Sequence, residues 1–177
     1  MGYSHYWSHL PEHDQFRACW PRMVLDTKTI LTNIQTAHSI RLRGLTGQGL
    51  PLLTEGAIGF NGDAAADLDY ESFWLHHAPP NRATEPHAAA RYHSTGFVWT
   101  FCKTARLPYD LAVCVVLLRC HLLAPEVFAI GSDGGWDNEW VTARAVYADL
   151  FGDPGDTSPL TDVTCGPPAT RTPTTGP

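Results

Sequence analysis

Pro108-Tyr-Asp-Leu-Ala-Val-Cys-Val-Val-Leu-Leu-Arg-Cys-His-Leu-Leu123 is the stretch that decides the fold. Proline is accepted in a first helical turn, where its missing N–H is not needed, and Leu111 to Leu118 contains no polar side chain. A helix that is apolar nearly all round has no face to offer water, so it must run through the middle of the molecule. The run is too short to span a bilayer. Immediately before it, Phe97-Val-Trp-Thr-Phe-Cys102 has the aromatic and β-branched content of a strand. The central helix is therefore fed directly from a sheet.

Working outward, Val127-Phe-Ala-Ile130 reads as a further strand, Gly131 to Trp136 as a turn, and Glu139 to Phe151 as an amphipathic helix stopped by Gly152. At the other end, Tyr3, His5 and Trp7 alternate with Ser4, Tyr6 and Ser8, the period of a strand. Trp20, Val24, Leu31, Ile34 and Ala37 then recur at helical spacing, with Pro21 in a first turn or as a kink after a short helix from Glu12. Ile40 to Arg43 is a short strand candidate, and Gly44 to Pro51 is loop chemistry. Ala57 to Phe60 and Glu71 to Leu75 suggest two more strands, and residues 78–94 a connector rich in Pro, Ala and His. Strands crowded between helices predict an α+β fold: a mostly antiparallel sheet with about three helices on one face. From Asp153 onward Pro, Thr, Gly and Ser replace the apolar periodicity, so the expected domain is 1–152 and the expected disordered tail 153–177.

The chain has 177 residues, 44% of them apolar and 11% aromatic, which suffices for one buried core. A net charge of -6 argues against non-specific nucleic-acid binding, which needs a concentrated basic face. The start lacks a basic segment followed by an apolar stretch, so neither secretion nor a membrane is expected. Cys19, Cys102, Cys114, Cys120 and Cys165 include no C-x-x-C pair, and they read as thiols of a reducing, cytoplasmic compartment. Cys114 and Cys120 pass as small buried hydrophobes. Cofactor and oligomeric state stay open.

Candidate chemistry gathers at element ends. Lys103, Arg106, Tyr109 and Asp110 lie between the strand and the apolar helix, where a helix start and two cations suit an anion. Alternatively the cations are solvated, and Asp110 complements the helix dipole. Asn61 ends a strand and can orient a substrate, although Asn61-Gly62 is also a turn signal. Asp67, Asp69 and Glu71 would share a face only if the backbone there is extended, and Asp133 follows a strand directly. His5, flanked on its face by Tyr3 and Trp7, is the preferred general acid or base, with Glu71 or Asp133 as partner. A buried core histidine is the plainer alternative. No metal ligand set is assigned. Nucleophile-elbow, zinc-protease and dinucleotide signatures are missing.

Met1-Gly-Tyr-Ser-His-Tyr-Trp7, Phe60-Asn-Gly62, Glu71-Ser-Phe73, Phe101-Cys-Lys-Thr-Ala-Arg106, Pro108-Tyr-Asp110 and Ser132-Asp-Gly134 resemble a group of small uncharacterised phage and bacterial proteins. That group opens with a Met-Gly-Tyr-Thr/Ser-His-Tyr type of sequence. The resemblance spans about residues 1–152 and implies a compact domain in a viral or mobile-element setting. Leu107 stands where the group carries a basic residue, which weakens a three-cation anion site. From the residues themselves, the expected function is a small enzyme acting on a polar, anionic small molecule such as a nucleotide or modified nucleoside. The rival is a non-catalytic protein that engages a phage or host partner.

Overall fold

A computed structural model describes residues 2–163. Its elements are β1 (Ser4–His9), α1 (Asp14–Ala37), β2 (Leu52–Leu53), β3 (Ala57–Phe60), β4 (Phe73–His76), α2 (Pro86–Thr95), β5 (Val98–Lys103), α3 (Asp110–Leu123), β6 (Phe128–Ser132) and α4 (Val141–Phe151), with a single 3-10 turn at Ala64–Ala66. Helix α3 is central, as its composition demands. Ala112 through Leu118 are all buried, and α3 packs against α1, α4, β1 and β6.

The expected α+β class holds, and every strand pairing is antiparallel, but the strands divide into two sheets ordered β5-β1-β6 and β2-β3-β4. In the first, β1 is the middle strand, with His5 opposite Cys102 on β5 and Ser132 on β6. Opposed residues point to the same side of an antiparallel sheet. Tyr3, His5, Trp7 and His9 therefore face inward, each nearly or fully buried, while Tyr6, Phe101 and Gly131 share the other face.

Residues 40–43 form no strand, since Arg43 makes only an isolated bridge to Asn61. Among the described residues there are four helices rather than about three. The additional one, α2, begins inside the expected 78–94 connector on Pro86, runs just past its end to Thr95, and is capped by Gly96 in the left-handed conformation. It buries only Ala89, so it carries no apolar stripe for periodicity to detect. Pro21 falls inside a continuous α1, whose start is capped by His13 Nδ1 accepting from Gln15 N–H at 3.1 Å.

Within the stretch expected as tail, the residues up to 163 make defined contacts. Thr161 N–H donates to the Ile130 carbonyl at 2.8 Å, Leu160 forms a parallel bridge with Ile130, and Val163 is buried. Residues 164–177 lie outside the described residues. No helix among the described residues is long and apolar enough to cross a membrane.

Candidate functional site

The first turn of α3 meets the start of β1 at a buried polar cluster. His5 has no exposed surface, and its Nε2 lies 2.7 Å from Asp110 Oδ1, whose side chain keeps 21% exposure. The Thr104 hydroxyl donates to the same carboxylate oxygen. Cys114 stands four residues after Asp110, on the same face of α3. Its Sγ is 3.5 Å from His5 Nε2 and 3.8 Å from Asp110 Oδ2.

Counting protons favours one tautomer of His5. Ser132 Oγ lies 3.0 Å from His5 Nδ1, and it already accepts from Trp140 Nε1–H at 3.0 Å and from Gly134 N–H at 2.9 Å. A hydroxyl has two lone pairs and one proton, so the arrangement in which Trp140 and Gly134 each keep a lone pair of their own has Ser132 donating to Nδ1. The neutral ring then carries its own proton on Nε2 and donates it to Asp110. One hydrogen-bonded line thus runs from Ser132 through His5 to the partly exposed Asp110.

The turn that supplies Thr104 is strained. Ala105 and Arg106 are consecutive non-glycine residues with φ of 53° and 60°, and the N–H groups of Thr104 and Ala105 both donate to the Tyr3 carbonyl, at 3.0 and 3.2 Å. A left-handed non-glycine residue costs on the order of 1 kcal/mol, and such strain concentrates where a geometry serves function. Here it sets Thr104 against Asp110 and lays the Arg106 guanidinium 4.1 Å over the Tyr3 ring. Arg106 also reaches Glu139 at 3.6 Å. The buried Tyr3 hydroxyl makes no hydrogen bond of good geometry, and burial, followed by its acidic neighbours and against an opposing effect of Ser132, pushes its pKa well above the ordinary phenol range. A Cβ on Gly134 would stand 2.1 Å from that hydroxyl, so only glycine fits at this point of the turn.

The remaining expected site residues are placed as braces. Asn61 holds the loop from 61 to 72: its amide donates to the Tyr70 carbonyl at 3.0 Å and accepts from Gly62 N–H at 2.8 Å. Glu71 accepts from the Lys103 backbone N–H at 2.8 Å, and the Tyr109 phenol donates to the Glu71 carbonyl at 2.7 Å. Lys103 Nζ sits 5.5 Å from the Tyr70 ring centre. Asp133 accepts from Ser4 N–H at 2.9 Å and from the Tyr6 hydroxyl at 3.0 Å. The carboxylate beside His5 is thus Asp110, not Glu71 or Asp133. Of the expected set, His5 and Asp110 meet directly and Arg106 joins them through Tyr3, while Glu71, Lys103 and Tyr109 bond to one another instead.

Ser132, Thr104, Cys114 and Trp140 complete the cluster, and none of the four stands in the expected site set. The i, i+4 spacing of Asp110 and Cys114 was a legible signal, but an apolar neighbourhood made the cysteine look like packing. Among the described residues, His5, Asp110 and Cys114 are the one group whose nitrogen, oxygen and sulfur donors lie close enough together to hold a metal ion. The Asp67, Asp69 and Glu71 alignment does not arise, because Asp67 turns into the left-handed conformation. A separate cleft of about 570 Å³, lined by Tyr6, Gly131, Asp133, Trp136, Leu160 and Val163 among others, includes residues of the opposite face of the first sheet. Comparison with protein-family models, with curated proteins and with solved structures returns no match for this chain.

Proposed function

We propose that this chain is a small enzyme acting on a polar, anionic small molecule of the nucleotide or modified-nucleoside kind, with the His5–Asp110 cluster as its reactive centre. One observation carries the reading. Two consecutive left-handed residues, Ala105 and Arg106, hold Thr104 on Asp110 and an exposed guanidinium at the rim of an otherwise buried polar group. Arg106 supplies the charge for a phosphate or carboxylate, and Asp110 is the member of the pair that solvent and substrate can reach. Cytoplasmic placement accords with the free thiols of Cys19, Cys102, Cys114 and Cys120. The test is a thermal-shift panel of nucleosides and their mono-, di- and triphosphates. A phosphate-dependent rise in Tm that Arg106→Gln abolishes supports the reading, and no shift from any member sinks it.

The alternative of a phage or host interaction protein draws on the outer face of the first sheet. There the Tyr6, Trp99 and Phe101 rings lie with centroids 5.5–6.5 Å apart, and Phe101 is 46% exposed. Aromatic side chains clustered on a surface are typical anchors for a protein partner. Capture of a phage or host protein that Phe101→Ala abolishes and Arg106→Gln spares would favour this second reading.

A further inference from the structure

His5 comes from the middle strand, while Asp110 and Cys114 come from one face of the central helix, and their donor atoms all lie within 4.8 Å of one another. We propose that these three residues form a binding site for a zinc-class divalent ion, bound by His5 Nε2, the Asp110 carboxylate and Cys114 Sγ. This inference rests on the reading of the cluster as the reactive centre and names what that centre holds.

Donor chemistry points to the ion. An imidazole, a thiolate and a carboxylate together suit borderline-soft Zn²⁺ and not Mg²⁺ or Ca²⁺, which take oxygen ligands. Tetrahedral zinc places such ligands roughly 3.3–3.6 Å from one another. The sulfur already stands 3.5 Å from His5 Nε2 and 3.8 Å from Asp110 Oδ2, and only the 2.7 Å His5–Asp110 contact must open. Three protein ligands leave a fourth position, the pattern of catalytic rather than structural zinc. Access comes through Asp110, the exposed member.

The surroundings supply the outer partners that metal ligands need. Thr104 holds Asp110, and Ser132 holds the far nitrogen of His5. On binding, the ion takes the place of the Nε2 proton, which is carried instead on Nδ1 and donated to Ser132. Ser132 turns its own proton toward the Tyr3 oxygen, the buried atom that otherwise makes no hydrogen bond of good geometry, and Trp140 and Gly134 share the remaining Ser132 lone pair. Cys114 loses its thiol proton to solvent, so the balance is one proton released per ion. Burial, then the Asp110 charge, push the Cys114 thiol up when no ion is bound.

The experiment uses the full chain, stripped with chelator and titrated with Co²⁺ as the probe for zinc. Expected are visible bands of tetrahedral intensity and a thiolate-to-cobalt charge-transfer band, both saturating at a single ion per chain and both displaced by Zn²⁺. Cys114→Ser removes the charge-transfer band, while Cys120→Ser, on the same helix but outside the cluster, keeps it. Ser132→Ala weakens Co²⁺ binding by about 10–100-fold. Absence of the bands, or their persistence unchanged in Cys114→Ser, overturns the site. If Cys114→Ser does not fold, X-ray absorption of the Zn²⁺-loaded unmutated chain decides: one sulfur ligand at about 2.3 Å supports the site, and no sulfur ligand overturns it. Nucleotide shifts in the chelator-treated protein without a cobalt spectrum would overturn the metal and spare the enzyme reading; a cobalt spectrum without any nucleotide shift would do the reverse.

Discussion

His5 and His9 sit on the same strand and the same face, one turn of the pleat apart from Trp7, and both are buried to 1% exposure or less. Their surroundings are opposite. Both ring nitrogens of His5 have hydrogen-bond partners, Asp110 on one side and Ser132 on the other. Neither nitrogen of His9 makes a hydrogen bond of good geometry, the His76 backbone being its polar neighbour, and its ring stacks on Phe16 and Phe128 with centroids 4.7 and 5.8 Å away. Burial alone thus says little about a histidine. What separates the two histidines is whether their buried nitrogens have well-placed partners, since each unpartnered polar atom costs stability.

The largest expected effect tests that difference with acid. Burial is the leading cause that lowers the His9 pKa from 6.5 to about 3, and the neighbouring His76 and His77 side chains lower it further, against an opposing effect of the His76 backbone. The folded state thus binds its proton later than the unfolded chain. Between pH 6.5 and about 3 the unfolded state carries the extra proton, so stability from this residue is complete above 6.5 and falls as pH drops through that window. The slope approaches about 1.4 kcal/mol per pH unit, or roughly 3 kcal/mol by pH 4. Urea denaturation from pH 7 to 4 should show this loss, and His9→Phe should flatten it. An unchanged slope in the variant would place the acid sensitivity elsewhere.

Next in size is removal of the partner that distinguishes His5. Asp110→Ala strands the His5 Nε2–H and the Thr104 hydroxyl in a buried site, with water able to enter where Asp110 was exposed. We expect a loss of about 2 kcal/mol in metal-free protein, read from the urea midpoint at constant m-value. A loss below a few tenths would mean that the His5 hydrogen bonds stabilise nothing.

This contrast was half legible in the sequence. The alternation of Tyr3, His5 and Trp7 puts His5 on the buried face, and the apolar run from Leu111 to Leu118 places α3 in the core. Asp110 was visible as a helix-start carboxylate. Its pairing with His5 was not, because that depends on how a strained turn at Ala105 and Arg106 aims the helix back at β1, and propensity runs against a left-handed alanine. Helix α2 escaped for the opposite reason, having too small a buried face to leave a pattern, and two-residue β2 is shorter than any periodicity. The split into two sheets follows from long-range pairing of β1 with β5 and β6, which local patterns do not encode.

The smallest expected effect comes from correcting His9 at neutral pH. Phenylalanine keeps the ring and its stacking on Phe16 and Phe128 while removing two buried nitrogens without a well-placed partner. Replacing an unsatisfied polar group by an apolar one of similar shape is neutral to stabilising, so His9→Phe should gain up to about 1 kcal/mol at pH 7. The matching change at His5 should do the reverse, because His5→Phe takes the partners from Asp110 and Ser132 at once. A calorimetric comparison of the two variants therefore reads the sign of the difference directly. If both substitutions stabilise the protein, the His5 network contributes no more to folding than the unpartnered ring at the other end of the strand. If only His9→Phe does, the polar partners around His5 hold the first turn of α3 in place.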